Sequence, residues 1–177
     1  MIAALLRVAD TDEELLERTR RGDTVAFAAL ASRYWHTVHR LVWNMLSDAV
    51  APAQIAEATF LSLLRSGDAF PPGVPFRTSL YRVVLGEAWR RLRSATRIAQ
   101  GDAWAERSVT REIREGIQRL DVLDRAAFVL REVESLSSEE AGAILGIAPA
   151  SVRRRTHRAT LMMAAFVGRD ERVEQGT

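Results

Sequence analysis

Four arginines crowd into the segment ASVRRRTHRAT, residues 150–160, with no acidic residue among them. They are Arg153, Arg154, Arg155 and Arg158. A guanidinium group is planar and always charged, and its fork of N–H donors matches both a phosphate group and the edge of a guanine base. The segment is therefore either a solvated helix face or a surface that binds nucleic acid.

The residues that precede this cluster have the layout of a helix-turn-helix. Ser137 followed by Glu140 forms a capping box that predicts the start of a short helix. The run Gly146-Ile147-Ala148-Pro149 predicts a tight turn, and a second helix is expected to begin near Ala150. A short capped helix, a glycine-containing turn and a second helix together favour binding to duplex DNA over a plain helical hairpin.

Helical spacing separates the two faces of the second helix. The residues expected in the core are Val152, Thr156, Ala159 and Met163. The residues expected to face outward are Ser151, Arg154, His157 and Arg158, with Arg153 and Arg155 at the flanks. A helix that bears arginines on the outer side of its first turns can enter a major groove, read guanine edges and grip neighbouring phosphates.

A second basic segment runs from Arg77 to Arg97, where Glu87 is the only acidic residue. Its arginines are Arg77, Arg82, Arg90, Arg91, Arg93 and Arg97. Tyr81 and Trp89 are interleaved with them. Aromatic rings stack on unpaired bases while arginines pair with phosphates, so the segment is a candidate site for single-stranded nucleic acid. The alternative is an amphipathic helix that half buries both rings.

The composition excludes several classes of site. The chain has no cysteine, so disulfides, thiolate zinc sites and cysteine nucleophiles are excluded. No glycine-rich phosphate loop or nucleophile motif is present, so an enzyme is the least favoured class and no cofactor is expected. His36 and His39 stand three residues apart, but no further ligand lies close by in sequence, and we expect no metal site. No apolar run approaches the roughly 20 residues that span a bilayer, and the amino-terminal residues lack a signal-peptide pattern. We therefore expect a cytoplasmic protein without membrane insertion.

Apolar residues recur at helical spacing along nearly the whole chain, and no segment alternates as a strand does. The sequence therefore predicts an all-α fold of two small helical modules joined by a linker, the second a helix-turn-helix. The predicted boundaries are 1–97 for the first module, 98–108 for the linker, 109–168 for the second module and 169–177 for a mobile tail.

The order of these features resembles the extracytoplasmic-function sigma factors, the smallest sigma factors of bacterial RNA polymerase. In the first module the resemblance rests on Gly22-Asp23, Ala26-Phe27, Leu30, Tyr34, Thr59-Phe60-Leu61 and the run FRTSLYRVV from Phe76 to Val84. In the second it rests on LREVESLSSEEAGAILGI, Leu130 to Ile147, and on SVRRRTHRA, Ser151 to Ala159.

The resemblance implies a protein that acts by binding. In that family the first module docks on the clamp helices of the largest subunit of core RNA polymerase and captures the melted non-template strand of the −10 element. The helix-turn-helix reads the −35 element of promoter DNA. The resemblance also implies an anti-sigma factor that sequesters the protein.

Carried onto this chain, the resemblance gives three sets of residues. The expected −35 contacts are Ser151, Arg153, Arg154, Arg155 and Arg158. The expected −10 contacts are Arg77, Tyr81, Arg82, Trp89 and Arg90, beside the loop 66–75. The expected polymerase contacts are Ile55, Glu57, Phe60 and Leu61.

The first module departs from the family pattern. The acidic start of the docking helix reads Pro52-Ala53-Gln54 here, and an expected Ala-Arg-Asn run reads Val84-Leu85-Gly86. These departures keep two alternatives open. One is a sigma-like interaction protein that occupies an anti-sigma factor or another regulator without directing transcription. The other is a stand-alone helix-turn-helix regulator that binds duplex DNA without polymerase.

Overall fold

The computed structural model describes residues 10–46, 51–65, 69–94 and 108–174. Every regular element in these ranges is helical, so the predicted all-α fold is confirmed. The chain divides into two compact units, one comprising Met1–Val42 and Val50–Ser94, the other Trp43–Ala49 and Ala95–Thr177. Within the described ranges, none of the helices has the length and apolar character that crossing a bilayer requires.

The helices of the amino-terminal half are α1 (Asp12–Arg20), α2 (Thr24–Met45), α3 (Ala51–Arg65) and α4 (Phe76–Ser94). Helix α1 begins at a capping box: the Thr11 hydroxyl accepts from the Glu14 backbone N–H, and the Glu14 carboxylate accepts from the Thr11 N–H. The Thr11 backbone N–H, followed by the Thr11 side chain, lowers the pKa of Glu14, because hydrogen bonds to the carboxylate favour its charged form.

Asp23 starts α2 and also holds α1. Its carboxylate accepts hydrogen bonds from the backbone N–H groups of Val25 and Ala26, at 2.9 and 3.1 Å, which leaves fewer unsatisfied donors at the helix end. The same carboxylate pairs with Arg18 of α1 at 2.7 Å. The Ala26 N–H and Arg18 together lower the pKa of Asp23.

Aromatic and aliphatic side chains fill the first unit, where α1 packs on α3 and α4. The Phe76 ring stacks on Phe70 with centroids 5.4 Å apart and lies 5.3 Å from the Tyr34 ring. The Tyr34 hydroxyl donates to the Asp12 carboxylate. Desolvation, reinforced by that hydrogen bond, raises the pKa of Tyr34.

The helices of the carboxyl-terminal half are α5 (Ser108–Arg119), α6 (Val122–Phe128), α7 (Ser138–Leu145) and α8 (Pro149–Glu174), with a π-helical turn at Val129–Val133 after α6. The Asp121 carboxylate accepts from the Leu123 N–H at 3.1 Å and caps the start of α6. Helix α8 packs against α5, α6 and α7, so it is the central element of this unit.

A buried arginine closes the corner between α5 and α6. Arg125 donates to the Gln118 side-chain oxygen at 2.8 Å and to the Leu120 carbonyl at 3.2 Å. Desolvation lowers the pKa of Arg125. A charged group can remain here only because these acceptors compensate for the loss of water.

The sequence predicts a linker at residues 98–108 and a tail at residues 169–177. The predicted linker, residues 98–108, lies outside the described residues except for Ser108, which begins α5. Helix α8 continues to Glu174 and so includes residues 169–174 of the segment predicted as a tail, whose mobility stays a prediction. Arginine and glutamate are good helix formers, and adding residues to a helix that has already formed costs far less than starting one. Residues 175–177 lie outside the described residues.

Candidate nucleic-acid interface

The helix-turn-helix forms where the sequence predicts it. The Ser137 hydroxyl and the Glu140 carboxylate make the reciprocal capping box that begins α7. Gly146 ends α7 with φ of 68° and ψ of 31°, a left-handed conformation that is costly for residues with a β-carbon. Pro149 then occupies the first position of α8, where a missing N–H does no harm.

Gly142 lets the turn fold closely back on α7. A β-carbon built at this position would lie 2.7 Å from the Ile147 carbonyl oxygen and 3.5 Å from the Pro149 nitrogen. The turn backbone therefore occupies the space that any larger side chain needs. Gly142 fixes the angle at which α8 leaves the turn, and the sequence analysis did not single it out.

The two faces of α8 lie as predicted. Val152, Thr156, Ala159 and Met163 are buried in the core of the second unit. Arg153, Arg154, His157 and Arg158 are exposed, whereas Ser151 and Arg155 are half-buried. The outer surface of the first turns of α8 is therefore strongly basic.

Two arginines of this face reach into solvent. Arg153 lies 3.7 Å from the Glu139 carboxylate, with both side chains well exposed, so the pair is weak. Arg154 makes no ion pair with any residue that the structure describes. These two guanidinium groups are available for phosphates or base edges.

The other two arginines share one buried carboxylate. Asp124 of α6 has 2% of its side chain exposed and accepts from Arg155 Nη1 at 2.8 Å and from Arg158 Nε at 2.6 Å. The Arg158 side chain remains 58% exposed, whereas that of Arg155 is 27% exposed. Asp124 was missed by the sequence analysis, because it lies 31 and 34 residues from its partners.

In the basic segment of α4, several arginines are exposed, whereas Tyr81 is buried. Arg77, Arg82 and Arg90 are exposed. Arg90 pairs with Glu87, and the Arg77 guanidinium lies 5.5 Å from the centroid of the Tyr81 ring. These three arginines thus lie on the surface, as the amphipathic pattern predicts.

The expected stacking of Tyr81 on an unpaired base does not fit the structure. Tyr81 is 1% exposed and packs in the core, on the same side of α4 as the buried residues Val84 and Leu85 one turn further along. Trp89 is half-buried, and its indole Nε1 is buried without a hydrogen-bond partner among the described residues. Of the loop 66–75, residues 69–75 are described, and Gly73 there has φ of 80°.

An open apolar groove lies between α2 and α3. Its lining residues are Phe27, Ala31, Trp35, Ala53, Glu57, Phe60 and Leu61. The Trp35 ring is 40% exposed and stacks on Phe60 with centroids 6.0 Å apart. The groove thus brings together Glu57, Phe60 and Leu61, three of the four residues expected to contact polymerase.

Ile55, the fourth, is placed elsewhere. It is 5% exposed and does not line the groove, so the structure does not support a surface contact at this residue. Phe60 is also buried, at 4%, but it lines the groove and stacks on the Trp35 ring. Trp35 lies at the groove instead. From sequence alone, its place beside the buried stripe of α2 favoured a packing role over a partner surface.

Comparison with known proteins decides the family. Residues 110–163, from α5 into α8, match the model of sigma-70 region 4. The chain is 32% identical over 173 residues to the ECF RNA polymerase sigma-E factor of Escherichia coli strain K12, covering 84% of this chain and 90% of that protein. The chain belongs to the extracytoplasmic-function sigma factors. This sigma factor is also 30% identical over 169 residues to RNA polymerase sigma factor CarQ of Myxococcus xanthus, covering 86% of this chain and 95% of that protein.

Solved structures share the fold of this sigma factor. CnrH, in its complex with the cytosolic domain of CnrY, superposes with a TM-score of 0.75 at 24% identity, covering 91% of this chain and 99% of that one. The sigma factor RpoE, in its complex with the anti-sigma factor NepR from Bartonella quintana, superposes with a TM-score of 0.68 at 16% identity, covering 80% and 96%. The resemblance stated from the motifs is therefore confirmed.

Proposed function

We propose that this sigma factor binds core RNA polymerase and directs it to promoters whose −35 element is read by α8. The observation that carries the proposal is the exposed arginine face of α8, held outward by a buried opposite face and a closely folded turn. Such a helix presents guanidinium groups to a major groove while the rest of its unit packs behind it. Ser151, Arg153 and Arg154 lie in the first turns, where base contacts are made.

The groove between α2 and α3 is the proposed docking site for the clamp helices of the polymerase. Trp35 supplies a partly exposed ring that stacks on the buried ring of Phe60, and Leu61 extends the apolar surface. Aromatic anchors in such a groove contribute most of the binding energy of many interfaces. Glu57 at the edge is exposed and can pair with a basic residue of the partner.

The exposed arginines of α4 are the proposed contacts to the opened −10 strand. Arg77, Arg82 and Arg90 lie on the surface of α4, which follows the loop ending at Pro75. Their role is to pair with phosphates of a single strand, since the Tyr81 ring is enclosed in the core. Strand capture at this helix would then depend more on charge than on stacking.

An anti-sigma factor is the second proposed partner. The solved relative RpoE is in complex with the anti-sigma factor NepR. An amphipathic helix with apolar anchors fits a groove of the kind that Trp35 and Phe60 line, and its binding there would exclude polymerase. The protein would act in the cytoplasm and by binding alone, without chemistry of its own.

Run-off transcription tests the proposal. Purified chain and core polymerase are incubated with promoter fragments from the source genome, beginning with the fragment upstream of the gene itself. A discrete transcript that requires the chain is the expected result. If no fragment gives a transcript and the chain does not co-elute with core polymerase, the proposal is wrong and a sigma-like interaction protein takes its place. A footprint on duplex DNA by the chain alone would favour a stand-alone regulator.

A further inference from the structure

The carboxylate of Asp124 pairs with two arginines of the basic face of α8. Its carboxylate is 2% exposed and lies beneath the arginine face of α8. One oxygen, Oδ1, accepts from Arg155, and the other, Oδ2, accepts from Nε and Nη2 of Arg158. The acid therefore holds both guanidinium groups from below.

The hydrogen bonds leave one edge of Arg158 available. A guanidinium group has five N–H donors, and Asp124 engages the side edge formed by Nε and Nη2. The end edge, formed by Nη1 and the second hydrogen of Nη2, faces away from that carboxylate. Two parallel N–H donors in that arrangement match a target with two acceptors, such as a phosphate or the edge of a guanine.

We infer that Asp124 is a positioning residue for DNA recognition, orienting Arg158 so that its end edge meets the DNA while Arg155 serves mainly as support. This inference rests on the proposed function and refines the expected −35 set. An arginine held in its binding geometry loses less conformational freedom on binding than one that is free in solvent.

The competing explanation is that Asp124 only offsets the repulsion between two neighbouring arginines. The two explanations differ in the sign of one effect. If Asp124 is only a counter-charge, its neutralisation makes the face more basic and strengthens binding to DNA. If Asp124 positions Arg158, neutralisation weakens binding although the net charge rises.

The test uses the full chain with core polymerase. A duplex is first selected by the wild-type holoenzyme from a pool with a randomised −35 window, and a copy with that window shuffled is the second probe. Affinities are measured for the wild type and for Asp124→Asn. Glu139→Gln is the matched control, because it removes one negative charge near the same helix from a side chain that is 70% exposed and pairs weakly with Arg153.

For the selected duplex, we expect Asp124→Asn to weaken binding by about fivefold or more and Glu139→Gln to strengthen it slightly. In an Arg158→Ala background, Asp124→Asn should cause no further loss. If Asp124 only stabilised the fold, Asp124→Asn would still weaken binding in the Arg158→Ala background. Stronger binding by Asp124→Asn, in parallel with the control, would overturn the inference.

The two duplexes together identify the group that Arg158 contacts. A loss confined to the selected duplex indicates a guanine edge, whereas a loss on both duplexes with a salt slope lower by about one indicates a phosphate.

If Asp124→Asn does not fold, Arg158→Lys replaces it, because lysine keeps the charge but cannot engage Asp124 by a side edge. Wild-type affinity in Arg158→Lys would overturn the inference. If the wild-type holoenzyme does not distinguish the selected duplex from the shuffled one, the proposed function fails, and the role of Asp124 fails with it.

Discussion

The carboxylate of Glu13 in α1 accepts a hydrogen bond of 3.0 Å from the backbone N–H of Phe76, the first residue of α4. The two residues are 63 positions apart in the chain. The carboxylate satisfies a donor that has no partner within α4 and places negative charge at the positive end of the helix. The sequence analysis had not connected this glutamate with α4, whose exposed arginines are the proposed −10 contacts.

Replacing Glu13 with alanine is therefore expected to lower the free energy of unfolding by about 1 kcal/mol, the usual cost of losing a cap. Glu17→Ala is the control, since Glu17 is on the same helix, is exposed and pairs with Arg20 only at 4.0 Å. Urea unfolding followed by far-UV circular dichroism measures both. Equal losses in the two variants would contradict a specific role for Glu13.

Gly142 should tolerate no side chain. Gly142→Ala places a β-carbon 2.7 Å from the Ile147 carbonyl oxygen, and the turn must shift, at a cost of about 1–3 kcal/mol. Gly86→Ala is the matched control, because a β-carbon on that glycine of α4 meets nothing within 4 Å. It should stabilise the chain by about 0.5–1 kcal/mol. Hydrogen exchange of peptides from α7 and α8 measures the first effect locally, and unchanged protection there would refute it.

Trp35 should be an anchor for polymerase. Trp35→Ala removes the partly exposed half of the stack with Phe60 and is expected to weaken binding to core polymerase by about 2 kcal/mol, roughly 30-fold. Leu64→Ala is the control, since Leu64 is 54% exposed on α3 but does not line the groove. Fluorescence anisotropy of labelled chain titrated with core polymerase provides the affinities. Wild-type affinity in a folded Trp35→Ala variant would exclude the groove as the docking site.

Acid should weaken the junction between α1 and α2. The pKa of Asp23 is lowered in the folded chain, so its contribution to stability is present above the ordinary aspartate pKa of about 3.9 and is lost as pH falls through the lowered value. In Asp23→Asn the amide can still cap α2 but does not titrate. The difference in unfolding free energy between wild type and Asp23→Asn should therefore shrink as pH falls below about 4.

Arg18→Gln provides the companion measurement for this acid effect. It removes the ion pair with Asp23 but leaves the backbone hydrogen bonds from Val25 and Ala26. The pH-dependent difference from Asp23→Asn should then be smaller in this background. A difference that stays constant between pH 6 and about pH 2 would show that neither the cap nor the ion pair depends on the charge of Asp23.

Local features of this protein could be predicted from the sequence. The capping boxes at Thr11 and Ser137 each span only four neighbouring residues, so the local sequence is enough to indicate them, and both form. The buried face of α8 follows from the helical period alone. Val152 and Ala159 lie on the same side of the helix, whichever element packs against that side. The family could also be recognised, since its motifs are runs of neighbouring residues.

The site itself depends on contacts between distant residues. Helical spacing places Arg155 and Arg158 on the outer side of α8, but only packing against α6 brings Asp124 beneath them. Tyr81 was expected at the surface from its place among arginines, and Ile55 from the family resemblance, but both lie in the core. A sequence period defines the faces of one helix relative to each other. Which face another helix covers is decided by tertiary packing, because burial depends on the neighbours that the whole fold supplies.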